Sequence, residues 1–363
     1  MDSSPENFRP PFCPRPWCPS HCQKGPWKYR KAGFYLRQAE PQRIRRYTCG
    51  VCGGSFSWQS YRVSYWLKRP DLLVPVFQRL VACSGFRQIA REFGVSHTTI
   101  MRLSERLGRH CLLFQQRAVK ELKLGEAIAI DGFESFAHSQ FHPCHLHVAA
   151  GSESHFFYAF TDSELRRKGR MTSWQKRRRE EIEVQHGRPD PKSIEKEIAE
   201  LVRLLPTGDG LVILSDEHPA YPRGLKRSGI EVTHRVTPST APRTKANPLF
   251  PINLIDLLIR HSGSNHKRET IAFSKTRQNV VERLAIFQVW RNFVKSFSEK
   301  TQDASPAMRL GLVDRKLDPA EILGKRRFPW RVNLPERLDR YYRRLVTTGP
   351  RGLSRPHELR FAY

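Results

Sequence analysis

The hydrophobic positions of this chain repeat with two different periods. In residues 280–295, VVERLAIFQVWRNFVK, apolar side chains recur every three or four positions, which predicts an amphipathic helix. Two shorter apolar runs, residues 126–131 and 211–216, have the length of strands. Each run ends on an aspartate, Asp131 in the first and Asp216 in the second. The chain is therefore predicted to be an α/β protein with acids at strand ends.

Three further strands would complete a sheet. Residues 145–150 and 155–160 are predicted to form a hairpin, and residues 230–236 a fifth strand. The predicted order of elements is three strands, a helical insert, two strands and a helix. This is the element order of a ribonuclease-H-like mixed sheet flanked by helices. Because the first and fourth strands are neighbours in such a sheet, Asp131 and Asp216 are expected at one edge.

Three acids are predicted to form a metal site. A late helix packed over the sheet edge would bring Glu282 to Asp131 and Asp216. Crowded carboxylates raise one another's pKa, and two divalent cations roughly 3.5–4 Å apart remove that penalty. Hard oxygen ligands favour Mg²⁺ or Mn²⁺, which would activate a water or 3′-hydroxyl and stabilise a leaving 3′-oxygen. The rival acids, each with a structural alternative, are Glu134, Glu217, Asp256 and Glu269.

Residues 71–118 are predicted to be helical, and their central part has the pattern of a helix-turn-helix. Gly94 permits the turn, and Ser96 can cap the second helix. The apolar positions of the two helices are Ile89, Ala90, Phe93, Ile100, Leu103 and Leu107. The side chains expected to meet base edges or phosphates are His97, Thr98, Thr99 and Arg102. The alternative is a plain helical pair within a scaffold.

Paired cysteines in the first sixty residues predict a zinc ribbon. The second pair is a tight knuckle of sequence CGVC, whereas the first cluster, between residues 13 and 22, is spaced more loosely. The preferred zinc ligands are Cys13, Cys18, Cys49 and Cys52. His21 or Cys22 could replace one of the first two. The alternative is a set of buried reduced thiols.

The charge of the chain indicates a polyanionic partner. The 363 residues include 63 Lys and Arg against 35 Asp and Glu, which gives a formal charge of +28 and a pI of about 10.3. Nucleic acid is the first candidate, and a ribosome-associated or membrane-surface protein is the alternative. No apolar run reaches the roughly 20 residues that span a bilayer, and residues 1–12 lack a signal-peptide pattern. Eight cysteines without an export signal favour a reducing compartment, so a cytoplasmic location is expected.

These patterns divide the chain into four expected parts. The boundaries are a zinc ribbon at 1–62, a helix-turn-helix domain at 63–120, a catalytic domain at 121–300 and a basic C-terminal tail at 301–363. The catalytic part carries a basic helical insertion at about 162–206. This insertion is either a solvated charged face or the lining of a channel for DNA.

The motifs, taken in order, resemble a known family. The cysteine-rich ribbon, the helix-turn-helix and the acids in AIDGFESF, LSDEHPAY and NVVERLAIFQVWRNFVKSF are similar to bacterial insertion-sequence transposases of the DDE class. WRNFVK and SPAMRLGL resemble the Asn-Phe pair and the Thr-Pro-Ala-Met turn of that class, with Ser305 in place of the threonine. The resemblance implies a metal-binding triad of Asp131, Asp216 and Glu282. It also implies that the ribbon and the helix-turn-helix recognise terminal inverted repeats.

The first hypothesis is therefore a transposase that cleaves double-stranded DNA at element ends and joins the freed 3′-hydroxyl to target DNA. It implies Mg²⁺ or Mn²⁺ at the acids, Zn²⁺ in the ribbon, a nucleoid-associated bacterial location and at least a dimer, because two DNA ends are brought together. The second hypothesis is a domesticated, catalytically inactive protein that binds DNA sequence-specifically as a regulator. A nuclease or integrase with the same fold is a third, since a fold does not fix the reaction.

Overall fold

The computed structural model describes residues 8–36, 38, 42–206, 208 and 210–353. The start of the predicted ribbon, before residue 8, and the end of the predicted tail, after residue 353, lie outside the described residues. None of the described helices is both long enough and apolar enough to cross a membrane.

The elements follow one another in chain order. The strands are β1 (Tyr29–Leu36), β2 (Arg43–Cys49), β3 (Ser55–Ser57), β4 (Ile128–Phe136), β5 (Pro143–Gly151), β6 (Phe157–Glu164), β7 (Val212–Ser215), β8 (Thr233–Val236), β9 (Thr347–Thr348) and β10 (Gly352–Leu353). The α-helices are α1 (Leu73–Leu80), α2 (Phe86–Glu92), α3 (His97–Val119), α4 (Ser173–His186), α5 (Ser193–Arg203), α6 (Ala220–Ser228), α7 (Phe250–Ser262), α8 (Arg277–Val289), α9 (Pro306–Arg309), α10 (Pro319–Gly324), α11 (Pro329–Val332) and α12 (Glu336–Tyr342). A π-helical turn, Trp290–Val294, continues α8.

The N-terminal ribbon is an antiparallel sheet in the order β1-β2-β3. It has a small aromatic core of its own, in which Tyr47 stacks on Phe56 and Tyr61 packs edge-on against Phe328. Phe328 comes from the C-terminal part of the chain, where Arg326 also donates a hydrogen bond from its backbone N–H to the carbonyl oxygen of Tyr61. The C-terminal segment therefore packs against the ribbon.

Three helices link the ribbon to the main sheet. A short turn joins α2 to α3, and Gly94 in that turn has a φ of +61°, which an L side chain rarely adopts. Ser96 caps α3 by accepting a hydrogen bond from the N–H of Thr98 at 3.3 Å. The second half of α3 remains buried, at Leu107 and Cys111 for example, because it packs along α8. The predicted recognition helix is thus the exposed beginning of a longer core helix.

The main sheet has five strands in the order β6-β5-β4-β7-β8. The pairs β4–β5 and β5–β6 are antiparallel, whereas β4–β7 and β7–β8 are parallel. Helix α5 packs against β5 and β6, and helix α7 packs against β4 and β5. The predicted mixed five-stranded sheet with flanking helices is confirmed.

Strand β4 extends further than its hydrophobic pattern predicts. The apolar run ends at Asp131, but β4 continues to Phe136 because it stays paired with β5 over its whole length. Its pairing with β7, in contrast, stops at Ala129. Asp131 therefore lies just beyond the point where β7 leaves β4, and Asp216 directly follows β7.

Helix α8 is buried all round, which differs from the amphipathic helix predicted for residues 280–295. Every residue from Gln278 to Val289 is buried. Helix α3 packs on it most extensively, and α1, α7 and α12 also contact it. Its polar side chains therefore find protein partners, as Gln288 does by donating to the carbonyl oxygen of Phe157 at 3.0 Å.

Candidate metal centres

The preferred cysteines come together where β2 ends. The sulfur atoms of Cys13, Cys18, Cys49 and Cys52 all lie within 4.8 Å of one another. The Cys13 and Cys52 sulfurs are 3.8 Å apart, and the Cys18 and Cys49 sulfurs are 3.7 Å apart. Four sulfurs at about 2.3 Å from a central zinc form a tetrahedron with edges of roughly 3.8 Å. The cluster therefore could bind zinc, and it consists of the four cysteines that the sequence favours.

The backbone of the second knuckle favours the thiolate form of Cys49. Burial raises the pKa of Cys49, but the N–H groups of Cys52 and Val51, at 3.5 and 3.4 Å from its sulfur, lower that pKa overall. Burial raises the pKa of Cys13 and of Cys18. A bound Zn²⁺ would stabilise all four thiolates in this shielded position.

The two alternative ligands, His21 and Cys22, lie outside this cluster. Cys22 is exposed. His21 is buried, and its Nδ1 is 2.7 Å from the carbonyl oxygen of Cys13, to which the ring N–H donates. His21 therefore supports the first cysteine loop through a hydrogen bond.

Asp131 and Asp216 lie at the edge between β4 and β7. Oδ1 of Asp131 accepts the N–H of Gly132 at 2.7 Å and the hydroxyl of Tyr221 at 3.2 Å. Oδ1 of Asp216 accepts the N–H of His218 at 2.9 Å. Burial raises the pKa of Asp131, and the negative charge of Asp216 raises it further, against the opposing effect of the Gly132 N–H. The two carboxylates are therefore within electrostatic reach of each other.

A third acid, Asp256 of α7, belongs to the same neighbourhood. Shielding from water raises the pKa of Asp256 well above its ordinary value, and the negative charge of Asp131 raises it further. Its Oδ1 is shielded and has no hydrogen-bond partner among the described residues. Burial raises the pKa of Tyr221, and the charges of all three aspartates add to that shift. Tyr221 therefore donates a hydrogen bond to Asp131 and is within electrostatic reach of Asp216 and Asp256.

Arg260, one turn after Asp256, does not neutralise this acid. Its guanidinium donates to the carbonyl oxygens of His266 at 3.1 Å and Glu134 at 3.2 Å. Within the described part of the chain, no ion pair joins Arg260 to Asp256, although the positive charge partly opposes the rise in the pKa of Asp256. Asp256 therefore has no ion-pair partner among the residues that the structure describes.

The acids are more widely spaced than the cysteines. Among the described residues, the cysteine cluster is the group of three or more metal-ligating side chains whose ligand atoms all lie within 4.8 Å. The oxygens of Asp131, Asp216 and Asp256 therefore do not form a compact ligand set like that of the four sulfurs.

Glu282, the predicted third acid, lies in a different environment, at the contact between α8 and α3. Its Oε1 accepts Nε of Arg344 at 2.9 Å and the amide of Gln278 at 3.1 Å, and its Oε2 accepts the amide of Asn279 at 3.1 Å. Burial raises the pKa of Glu282, and the charge of Arg344 opposes this shift. Both carboxylate oxygens are occupied by protein donors, so Glu282 has the surroundings of a structural ion pair.

The close approach of α3 to α8 fixes this ion pair. A Cβ atom on Gly108 would lie 2.8 Å from the Cα of Glu282, so only glycine fits there without movement. Arg344 also donates to Glu105 of α3 at 2.9 Å. One arginine from the C-terminal segment therefore binds acids on both helices.

The remaining rival acids are on the surface or bonded to the backbone. Glu134 and Glu269 are exposed. The carboxylate of Glu217 accepts the N–H of Ser239 at 2.7 Å, and this hydrogen bond lowers the pKa of Glu217. None of the three shares the buried, charge-crowded surroundings of Asp256.

The predicted DNA-contacting side chains lie at the start of α3. His97, Thr98 and Arg102 are exposed, and Thr99 is half-buried. The hydroxyl of Thr98 is 2.8 Å from that of Ser96 and so also contributes to the helix cap. Their accessibility is compatible with DNA contact, which stays a prediction.

The sequence pattern does not single out Tyr221, and it indicates Asp256 only as a rival of Glu282. Tyr221 is part of the LSDEHPAY stretch, in the first turn of the helix that follows Asp216. Asp256 lies on the first long helix after the fifth strand. That position in the element order is a signal that could have favoured it over Glu282.

Comparisons with known proteins give little further guidance. No protein-family model matches the chain, and no curated protein sequence matches it. Among solved structures, it is similar to a chain of a cryo-EM structure of a simian T-cell lymphotropic virus intasome in complex with the PP2A regulatory subunit B56 gamma. The identity is 13%, the match covers 72% of this chain and 76% of that chain, and the TM-score is 0.24. A likeness at this TM-score supports no conclusion about function.

Proposed function

We propose that this chain is a DNA-cleaving and strand-transferring enzyme of the DDE transposase type, in which the acids are Asp131, Asp216 and Asp256. The observation that carries the proposal is the gathering of these three acids around Tyr221 at one edge of the sheet. The strand order β6-β5-β4-β7-β8 supports a ribonuclease-H-like fold, in which the first and fourth strands are neighbours. The sequence resemblance to insertion-sequence transposases agrees with this reaction class and with Asp131 and Asp216, but it implies Glu282 as the third acid where we propose Asp256.

The acid group suits divalent cations that prefer oxygen ligands. Asp131, Asp216 and Asp256 would hold Mg²⁺ or Mn²⁺, since neighbouring carboxylates repel one another without a counter-charge. When bound, such ions activate the attacking oxygen and stabilise the leaving 3′-oxygen of a phosphodiester. Gly132 and Tyr221 both donate to Oδ1 of Asp131 and so orient its carboxylate. Asp256 has the shielded, unpartnered oxygen that a cation ligand would supply.

The charge of the chain supports DNA as the substrate. The formal charge of +28 would attract a polyanion from any direction. Close to the acids, Arg243 is exposed, and its positive charge lowers the pKa of Asp131. A cation beside the acid group can bind a phosphate next to the one that is cleaved. The ribbon, with zinc in its cysteine cluster, and the start of α3 would recognise the element ends, and two ends would require at least a dimer.

The test is metal-dependent cleavage of duplex DNA that carries the sequences flanking the gene. Asp216→Asn is expected to abolish Mg²⁺- or Mn²⁺-dependent cleavage and to leave DNA affinity unchanged. Glu217→Gln, one residue away, is the matched control and is expected to cleave normally, because Glu217 bonds to a backbone N–H. Equal cleavage by Asp216→Asn and the unsubstituted protein would overturn the proposal. Sequence-specific binding without cleavage under either metal would instead favour the inactive regulator.

A further inference from the structure

A cavity of about 550 Å³ lies between the ribbon sheet and the segment that follows it. The ribbon contributes Tyr35, Arg46 and Phe56, and the following segment contributes Tyr65, Trp66 and Lys68. Ligand sites for small molecules and cofactors have volumes of roughly 300–1,000 Å³. The cavity is therefore large enough for one nucleotide unit, and it lies far along the chain from the three aspartates.

Trp66 presents an aromatic face at this cavity. Its side chain is 70% exposed. Its ring stacks on the ring of Tyr65, with centroids 5.5 Å apart and planes 21° apart. Its φ is +61°, in the left-handed region that bulky side chains rarely adopt. The fold thus holds a tryptophan outward at a cost in backbone strain.

Contacts from the core keep this segment in place. Arg106 of α3 donates through Nη1 to the carbonyl oxygen of Val63 at 2.7 Å and to that of Tyr65 at 2.6 Å. The guanidinium of Arg326 lies 5.8 Å from the centroid of the Tyr65 ring. The aromatic pair is therefore fixed before any ligand arrives, which reduces the entropy lost on binding.

The chemistry around the cavity selects a planar, anionic ligand. Arg46 and Lys68 are exposed at its rim and can bind phosphate, while the aromatic pair can stack on a planar ring. Two more arginines, Arg43 and Arg45, lie over the ring of Phe34 on the same ribbon, at 3.9 and 4.1 Å. A nucleotide is the ligand that joins a stacking ring to a negative charge. In a paired duplex the faces of the bases are covered by stacking, so the base must be unpaired.

We propose that this cavity binds an unpaired base of a DNA strand by stacking it on Trp66. This proposal rests on the proposed function only in taking DNA as the partner, since the three aspartates play no part in it. It assigns to the ribbon a preference for DNA with a frayed or single-stranded end, in addition to any recognition of sequence.

The experiment uses the full-length, zinc-loaded Asp216→Asn protein without Mg²⁺ or Mn²⁺, so that cleavage cannot interfere. Fluorescence anisotropy compares its affinity for a blunt duplex and for the same duplex with a short unpaired end. Base–aromatic stacking of about 1–3 kcal/mol per base corresponds to a preference of roughly 5- to 150-fold for the unpaired end. Adding Trp66→Ala should remove this preference, and Trp66→Phe should retain part of it.

A second exposed tryptophan provides the matched control. Trp174 of α4 is 59% exposed and lies outside the cavity, so Trp174→Ala should leave the preference unchanged. Zinc content and circular dichroism verify that each variant is folded. Equal affinity for the two DNAs in the protein with Trp66, or a preference retained by folded Trp66→Ala, would overturn the proposal. Failure of the cleavage test together with a Trp66-dependent preference would overturn the enzyme assignment alone.

Discussion

The cysteine cluster and the acid cluster are both candidate metal centres, yet they are assembled in different ways. The four sulfurs already have tetrahedral spacing, because two short loops of the ribbon bring them together. The acids come from β4, the end of β7 and the middle of α7, and their oxygens are farther apart. The comparison separates a ligand set that is complete in the local geometry of the ribbon from an acid group whose carboxylates would need counter-charges to come closer together.

A second contrast separates two acids on helices, the buried Glu282 and the partly exposed Asp256. Glu282 is bonded to an arginine and two amides, whereas Asp256 has a shielded oxygen without a hydrogen-bond partner among the described residues. Both acids have a raised pKa for the same first reason, burial. What distinguishes a candidate ligand from a structural acid here is therefore the missing counter-charge.

The largest expected effect is the loss of zinc from the ribbon. Structural zinc sites contribute apparent free energies of about 10–16 kcal/mol in zinc-finger peptides, so a chelator or Cys49→Ser should unfold β1–β3. Hydrogen exchange of residues 29–57 should become fast, while the main sheet stays protected. Cys22→Ser is the control and should exchange normally, because Cys22 is exposed outside the cluster. Unchanged exchange after zinc removal would show that the cysteines are not a structural site.

The next effect concerns the ion pair that holds α3, α8 and the C-terminal segment. Arg344→Ala leaves Glu282 and Glu105 without their shared partner, and breaking a buried pair costs about 3–5 kcal/mol. Urea unfolding should show this loss of stability. Arg69→Ala removes an exposed pair with Asp71 and should change stability little. An Arg344→Ala protein as stable as the control would mean that Glu282 is not held as described.

A smaller effect is expected when Mn²⁺ is added to the zinc-loaded protein. A ligand that binds only the folded state stabilises it by about 2.7 kcal/mol at a hundredfold excess over its Kd. Thermal unfolding of the unsubstituted protein should shift upward, and that of Asp256→Asn should shift much less. Glu269→Gln, an exposed acid on the loop after α7, should respond like the unsubstituted protein. An equal shift in all three proteins would place the cation elsewhere.

A further expected effect is a dependence of stability on pH, which shows whether Arg337 or burial controls the protonation of Glu197. Glu197 of α5 shares Arg337 with Asp162, at 2.7 and 3.1 Å, and burial raises its pKa from 4.5 to about 7. Because the folded state binds the proton more tightly, protonated Glu197 stabilises it fully below about pH 4.5. This contribution is lost as the pH rises through about 7.

Glu197→Gln isolates that contribution. The free energy of unfolding of the unsubstituted protein should fall relative to that of Glu197→Gln as the pH rises from 4.5 through 7. Urea titrations at several pH values measure it. A difference that is constant with pH would mean that Arg337 compensates fully for the burial of Glu197.

The sequence predicts those features of the molecule that depend on residues close together in the chain. The spacing of the CGVC knuckle indicates the cysteine cluster, and short apolar runs locate Asp131 and Asp216 at strand positions that become neighbours through the strand order. The choice between Glu282 and Asp256 depends on distant residues. Glu282 is neutralised by Arg344, 62 positions later, and the hydrophobic pattern of α8 gives no sign that both its faces are buried.

The most direct test of the central claim compares Asp256→Asn with Glu282→Gln in Mn²⁺-dependent cleavage of duplex DNA. Each rate is divided by the folded fraction of the protein, because Glu282→Gln weakens a buried ion pair. If Asp131, Asp216 and Asp256 form the cation site, Asp256→Asn will not cleave and Glu282→Gln will cleave at the normal rate per folded molecule. Cleavage by Asp256→Asn, or its loss in fully folded Glu282→Gln, would contradict the claim.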